Sequence, residues 1–317
     1  DKEFIGYNCL EFDALVLEKI FDKLDEGVPV DNHDIFEISQ DVINSGRPFR
    51  WEHQLRHKWL DLLQMNHWGV KSAKTASLKW LQFSTNQDIL DLPYKYDTIL
   101  TLDQIKEVRN YCLYSDIPAT KKIYDLCQSE LKIRVDVGKE ERLNLINASE
   151  PKIARKLFSK HLSKELGIDE KSLKELKTLD VPFKGSDVLL PYLKFTNPLF
   201  KKIHEDVKNL RISEDSKFKR SINWYGLKIE YGLGGLHSFR YPKIWENTED
   251  YVIIDSDVKS YYPNICIRNN KYPRHLGDSF GKIYEGYYNK RISIPKKDPM
   301  NYVMKIVLNA GYGQFLD

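Results

Sequence analysis

The sequence predicts a mixed α/β protein built from more than one domain. Its 317 residues exceed the usual single-domain length. Its composition, 41% hydrophobic and 30% charged, is that of a packed chain and not a disordered one. Short β-type apolar runs lie near residues 3–7 and again between 226 and 256, flanked by long stretches of helical period.

Taken in order, Glu3-Phe-Ile-Gly-Tyr7 reads as a short strand, and 11–24 as a helix with Leu15, Ile20 and Phe21 among its apolar positions. Residues 26–100 read as mostly helical, broken by Gly-Arg-Pro at 46–48 and Asp-Leu-Pro at 91–93. Thr101 with Gln104 three residues on is a capping box, so a helix is expected over 102–114. A second is expected from about 117 to 132. Lys and Glu alternate with apolar residues over 136–180, as in two or three solvated helices, and Gly185, Pro191 and Pro198 punctuate a less regular connector. Residues 226–240 are Gly-rich with alternating apolar positions, a hairpin pattern. Tyr251-Val-Ile-Ile-Asp-Ser256 is the clearest buried-strand run, and 300–315 is helical by period.

No stretch approaches the roughly 18 apolar residues of a membrane helix, so no membrane is expected among the partners. The four cysteines (Cys9, Cys112, Cys127, Cys266) form no C-x-x-C pair, which argues against a zinc ribbon or a disulfide framework and fits a reducing, cytoplasmic setting. A net charge of +3 is too balanced to indicate nucleic acid by itself. The 19 tyrosines and 14 phenylalanines could stack on unpaired bases, although aromatics also simply fill cores.

Two segments carry chemistry. In Asp257-Val-Lys-Ser260-Tyr-Tyr262-Pro263 a carboxylate follows an apolar strand run and precedes a helix start. Such a carboxylate can hold a divalent ion against a phosphate, with Ser260 as helix cap and Pro263 in the first turn. In Lys305-x-x-x-Asn309-x-x-Tyr312-Gly313, at about 100° per residue, Lys305, Asn309 and Tyr312 fall on one stripe. One cation, one amide and one aromatic make an odd core face but a sensible surface for a nucleoside triphosphate. The two segments are 48 residues apart.

DVKSYYPNI resembles motif A of family B DNA polymerases (DxxSLYP), and KIVLNAGYG resembles their motif B (KxxxNSxYG), with Tyr261 for the usual Leu and Ala310 for the usual Ser. Family A enzymes place their Lys one residue further from the Tyr-Gly and carry an Arg where Asn301 stands here. The resemblance implies that Asp257 is a metal ligand and that Tyr262 is a steric gate beneath the sugar. It implies that Lys305 contacts the triphosphate, and that Asn309 and Tyr312 line the nascent base pair. Arg291 resembles the fingers Arg that grips triphosphate. Tyr231-Gly-Leu-Gly234-Gly235 resembles the template-binding YxGG segment, one residue longer here.

Asn8-Cys-Leu-Glu-Phe12-Asp13 resembles the second exonuclease motif of the same family, with Asp13 a metal ligand, Asn8 on the terminal nucleotide and Phe12 against a frayed base. Tyr111-Cys112-Leu-Tyr-Ser-Asp116 resembles the third, YxxxD, with Asp116 a metal ligand. Cys112 occupies the usual Tyr position, and Tyr111 lies about 100° from it on an α-helix. The first exonuclease motif and the DTD of motif C are not found, and a chain opening on Asp1 is expected to be a fragment between them.

The family implies an RNase H-like exonuclease part over 1–140, a helical connector over 141–220, part of the palm over 221–278 and fingers over 279–317. It implies a DNA-directed DNA polymerase with 3′–5′ exonuclease, two Mg2+ or Mn2+ ions per active site, primer–template DNA and dNTPs as partners. The short interval between the two motifs allows only a small fingers hairpin, as in phage-type enzymes, placing the protein in a host cytoplasm. Two other readings stay open: a non-catalytic DNA-binding fragment with decayed exonuclease, and a reverse transcriptase.

Overall fold

The computed structural model describes residues 3–45, 52–66, 77–95, 98–176, 182–213, 216–239, 242 and 244–314, with the backbone alone for 312–314. The Gly-Arg-Pro break at 46–48 lies outside the described residues. The architecture is mixed α/β, mostly helical with small sheets. The chain divides into two compact units, residues 1–170 with 282–317, and 171–281. No described helix is long and apolar enough to cross a membrane.

The first unit opens on β1 (Glu3–Gly6), which pairs in parallel with β2 (Lys58–Asp61), Gly6 standing opposite Asp61. Between them come α1 (Asp13–Asp25) and α2 (Asn32–Ser45). The expectation of helix across 26–100 is therefore only partly met. Lys58-Trp-Leu-Asp61 is a strand, because its alternation puts Trp59 and Asp61 inward, and a parallel neighbour satisfies its backbone. Phe4 stacks on Trp59 at 4.6 Å between ring centroids.

Two short helices follow, α3 (Leu62–Asn66) and α4 (Leu78–Ser84). Helix α5 (Leu102–Tyr111) starts at the expected capping box, where Thr101 Oγ1 accepts the Gln104 N–H and Gln104 Oε1 accepts the Thr101 N–H. Next come a π turn (Cys112–Asp116), α6 (Ile117–Leu126) and α7 (Gln128–Glu141), so the helix expected over 117–132 breaks at Cys127.

The unit is completed by α8 (Glu150–Leu166), the later part of α13 (Gly277–Ser293) and α14 (Pro299–Gln314). Leu157, Phe158 and Leu162 of α8 and Val303, Met304, Val307 and Leu308 of α14 are buried, and the two helices pack together. A Cβ at Gly311 would stand 2.7 Å from the Phe158 ring, so glycine sets how closely they approach.

The second unit begins with the rest of α9 (Glu170–Glu175). It holds an antiparallel pair, β3 (Phe183–Lys184) with β4 (Arg211–Ile212), and between them α10 (Gly185–Val188) and α11 (Pro198–Lys208). An antiparallel meander follows: β5 (Lys219–Trp224), β6 (Leu227–Gly232) and β7 (Gly235–Phe239). The expected hairpin over 226–240 is thus β6–β7. Helix α12 (Tyr261–Asn269) closes the region around the first chemical motif.

The strand expected at 251–256 does not form. Tyr251, Val252, Ile253 and Ile254 are 76, 74, 55 and 79% exposed. Local groups take their backbone bonds: Asn247 Oδ1 accepts the Ile253 N–H at 2.8 Å, and Thr248 Oγ1 accepts the Tyr251 N–H at 3.1 Å. Short Asn and Thr side chains that capture the backbone compete with a ladder, and no described strand pairs with this run.

Candidate functional site

In the first unit, β1 ends at Gly6, where a Cβ would stand 2.5 Å from Cys9 Cβ. The chain turns sharply there, and Asn8 takes a left-handed conformation (φ 59°) that Asn tolerates. Cys9 O accepts the N–H groups of Phe12 and Ala14 and closes the turn onto α1. Asn8 is exposed, Phe12 is half-buried and Asp13 stands exposed at the first position of α1.

Burial of its inner side raises the Asp13 carboxyl above its ordinary value, and the nearby Asp61 carboxylate adds to that. The bond from its own backbone N–H works the other way. Asp61, fully buried, is not among the residues singled out by the sequence motifs. Its signal was present: an apolar alternation ending in Asp immediately before the helical Leu-Leu-Gln-Met, the position of a helix cap.

The third exonuclease-like segment has a geometry the sequence did not disclose. Ile117 N–H donates to Cys112 O, an i→i+5 bond, so the turn that carries Tyr111 toward Asp116 is a π turn. Such a turn absorbs one extra residue inside a helix. Tyr111, five positions before Asp116, is consequently brought near its carboxylate. Burial first, then hydrogen bonding and charge from the nearby Asp116, push the Tyr111 hydroxyl up to about 12. The expectation that Tyr111 is out of register assumed an α-helix and is corrected by the π turn. Cys112 is exposed. Ser115, inside the turn, is held by Gln82 of α4, whose Nε2 donates to Ser115 Oγ at 3.0 Å.

The two exonuclease-like segments are joined through one apolar cluster. Leu62, Met65 and Ile123 form its centre, with Tyr7, next to Asn8, and Tyr124 of α6 packed against it.

On α14, Lys305 and Asn309 are exposed while Ile306, Val307 and Leu308 are buried, so the expected polar stripe faces away from the packed side. The Tyr312 side chain lies outside the described residues. Arg291, near the end of α13, is half-buried.

In the second unit, Asp257 is exposed just before α12. Ser260 sits at the N-cap with φ 50° but makes no side-chain cap bond, so the expected Ser cap is not formed. Pro263 lies in the first turn of α12, as expected. Tyr262 is 49% exposed and meets Tyr261 edge-on at 5.4 Å.

Tyr231 is buried at 5% exposure, and its hydroxyl donates to Asp206 Oδ2 at 3.2 Å, an oxygen that Arg220 also reaches at 2.9 Å. Leu233 and Gly234 form the β6–β7 turn, and Gly235 opens β7 at φ 112°, which favours glycine. They line an open groove of about 560 Å³ together with Lys217, Lys219 and His237. Asp257 and Tyr262 belong to one unit and Lys305 and Asn309 to the other.

No family model matches the chain, and neither a curated protein nor a solved structure matches it.

Proposed function

We propose that the chain is part of a family B DNA polymerase, which adds dNTPs to a primer 3′ end under template direction and carries an associated 3′–5′ exonuclease. The observation that carries this reading is the pairing of DxxSxYP with KxxxNxxYG. Lys305 and Asn309 stand at the surface of α14 while Ile306, Val307 and Leu308 are buried, and Asp257 and Tyr262 are exposed, the one before α12 and the other at its start. Polar groups spared from core packing are available to a ligand. Lys305 would offset triphosphate charge, Asn309 would face the base pair, and Tyr262 would lie beneath the sugar.

Mg2+ or Mn2+ fits the donor set, because Asp257, Asp13 and Asp116 offer hard carboxylate oxygens. Among the described residues no three ligating side chains gather in one cluster. Carboxylates acting with substrate phosphates would hold the ions, a common arrangement for Mg2+. Bound there, the ions supply charge stabilisation for phosphoryl transfer. The groove at Gly234 and Gly235, lined by Lys217 and by Lys219 paired to Glu230, suits a single strand. Tyr231, being buried on Asp206, would position that hairpin and not touch DNA.

In a single-nucleotide extension assay of the full-length protein, Tyr262→Ala is expected to raise ribonucleotide incorporation, on the order of tenfold or more, while dNTP use continues. Unchanged discrimination shows that Tyr262 is not the gate. A protein that binds DNA without extending a primer supports the non-catalytic reading instead.

The π turn makes a separate prediction for the exonuclease. Tyr111→Phe is expected to slow excision of a mispaired 3′ end, on the order of 10²-fold, and Cys112→Ala to leave it unchanged. The reverse result assigns the tyrosine's usual position to Cys112 after all.

A further inference from the structure

Asp61 lies at the C-terminal end of β2 with its side chain fully buried, and both of its carboxylate oxygens are engaged. Oδ1 accepts the N–H groups of Asn8 at 3.0 Å, Leu63 at 2.9 Å and Gln64 at 3.2 Å. Oδ2 accepts the Leu10 N–H at 3.0 Å. One carboxylate thus caps α3 and also ties down the left-handed turn between β1 and α1. The strand behind it is fixed in turn, since Asn147 Oδ1 accepts the Asp61 N–H at 2.8 Å and Asn147 Nδ2 donates to Trp59 O at 2.8 Å.

A cap alone needs only the Leu63 and Gln64 bonds. The bonds to Asn8 and Leu10 reach a segment more than fifty positions earlier in the chain and hold the backbone that presents Asn8, Phe12 and Asp13. With four N–H groups on it, the carboxylate has little capacity left for a metal, so its influence runs through that backbone.

We infer that Asp61 is a positioning residue of the exonuclease site, fixing the Asn8–Asp13 segment at the geometry excision requires. The inference rests on the exonuclease reading of Asp13.

The test uses the full-length protein on a single-stranded or mispaired 3′ end, with three proteins side by side: wild type, Asp13→Ala and Asp61→Ser. Serine is a good N-cap and so keeps α3 capped, but its short side chain cannot reach Asn8 and Leu10. Asp61→Ser is expected to lower kcat for excision on the order of 10²-fold, the effect of a misplacement of about 1 Å. The Mg2+ concentration for half-maximal excision should rise and primer extension should stay close to wild type, while the melting transition moves to lower temperature but remains cooperative. A purely structural role would lower the active fraction without moving the metal dependence.

If Asp13→Ala excises normally, the exonuclease reading itself fails and the inference falls with it. If Asp13→Ala is inactive but Asp61→Ser matches wild type, the positioning role alone is overturned. It is equally overturned if Asp61→Ser loses extension, excision and cooperative melting together, because Asp61 then serves folding only.

Discussion

Asp257→Asn is expected to abolish primer extension, by at least on the order of 10³-fold, while primer–template binding stays nearly intact. An amide lacks the charge to hold divalent ions against a triphosphate, whereas DNA affinity comes mainly from phosphate contacts elsewhere. Asp255 is the control. It is exposed two residues earlier and could be mistaken for the ligand. The D-x-x-S-x-Y-P spacing selects Asp257, and the helix that begins at Tyr261 places Pro263 in its first turn, as that spacing requires. Loss of extension in Asp255→Asn with activity kept in Asp257→Asn would move the motif by two residues and remove Tyr262 from the gate.

The largest effect on folding is expected at Glu18. Its side chain is fully buried in the first unit, where its carboxylate accepts four bonds: from Trp59 Nε1 at 3.1 Å, Arg56 N–H at 2.9 Å, His57 N–H at 3.1 Å and the His57 ring at 2.9 Å. Glu18→Ala leaves these groups without their acceptor and opens a void beneath Trp59, a loss of about 3 kcal/mol or more. A urea melt of the variant against wild type measures it, and a change below about 1 kcal/mol would mean the segment relaxes to find water.

The same residue gives a pH dependence. Burial pushes the Glu18 carboxyl up, but the bonds from Trp59, Arg56 and His57 together outweigh burial, and the group lies below its ordinary value of 4.5. The folded state therefore holds this stabilisation in full above pH 4.5 and loses it as the pH falls through the lower folded value. Urea midpoints between pH 6 and pH 3 should fall less steeply in Glu18→Gln than in wild type. Parallel acid limbs would show that other carboxylates govern the acid transition.

What the sequence determined by itself is local. The Thr101–Gln104 capping box, the strand at 3–6, the β6–β7 hairpin and the helix over Lys305 and Asn309 were all legible. Each depends on residues within a turn or two of one another, or on a single period. The two motifs of the proposed polymerase site were legible for the same reason, as spacings within nine residues.

Tertiary structure decided the rest. Lys58–Asp61 is too short to announce itself as a strand and became one only through its parallel pairing with β1. Tyr251–Ser256 has the composition of a buried strand but found no ladder, and Asn247 and Thr248 took its backbone bonds instead. Whether Tyr111 reaches Asp116 turned on a π turn in place of an α turn, a difference of one residue per turn that no side-chain pattern encodes. Asp61 draws together backbone groups from either side of α1 and α2. A buried carboxylate is tolerated only where the fold supplies donors to it, so its role emerges only when the chain has brought those donors to one place.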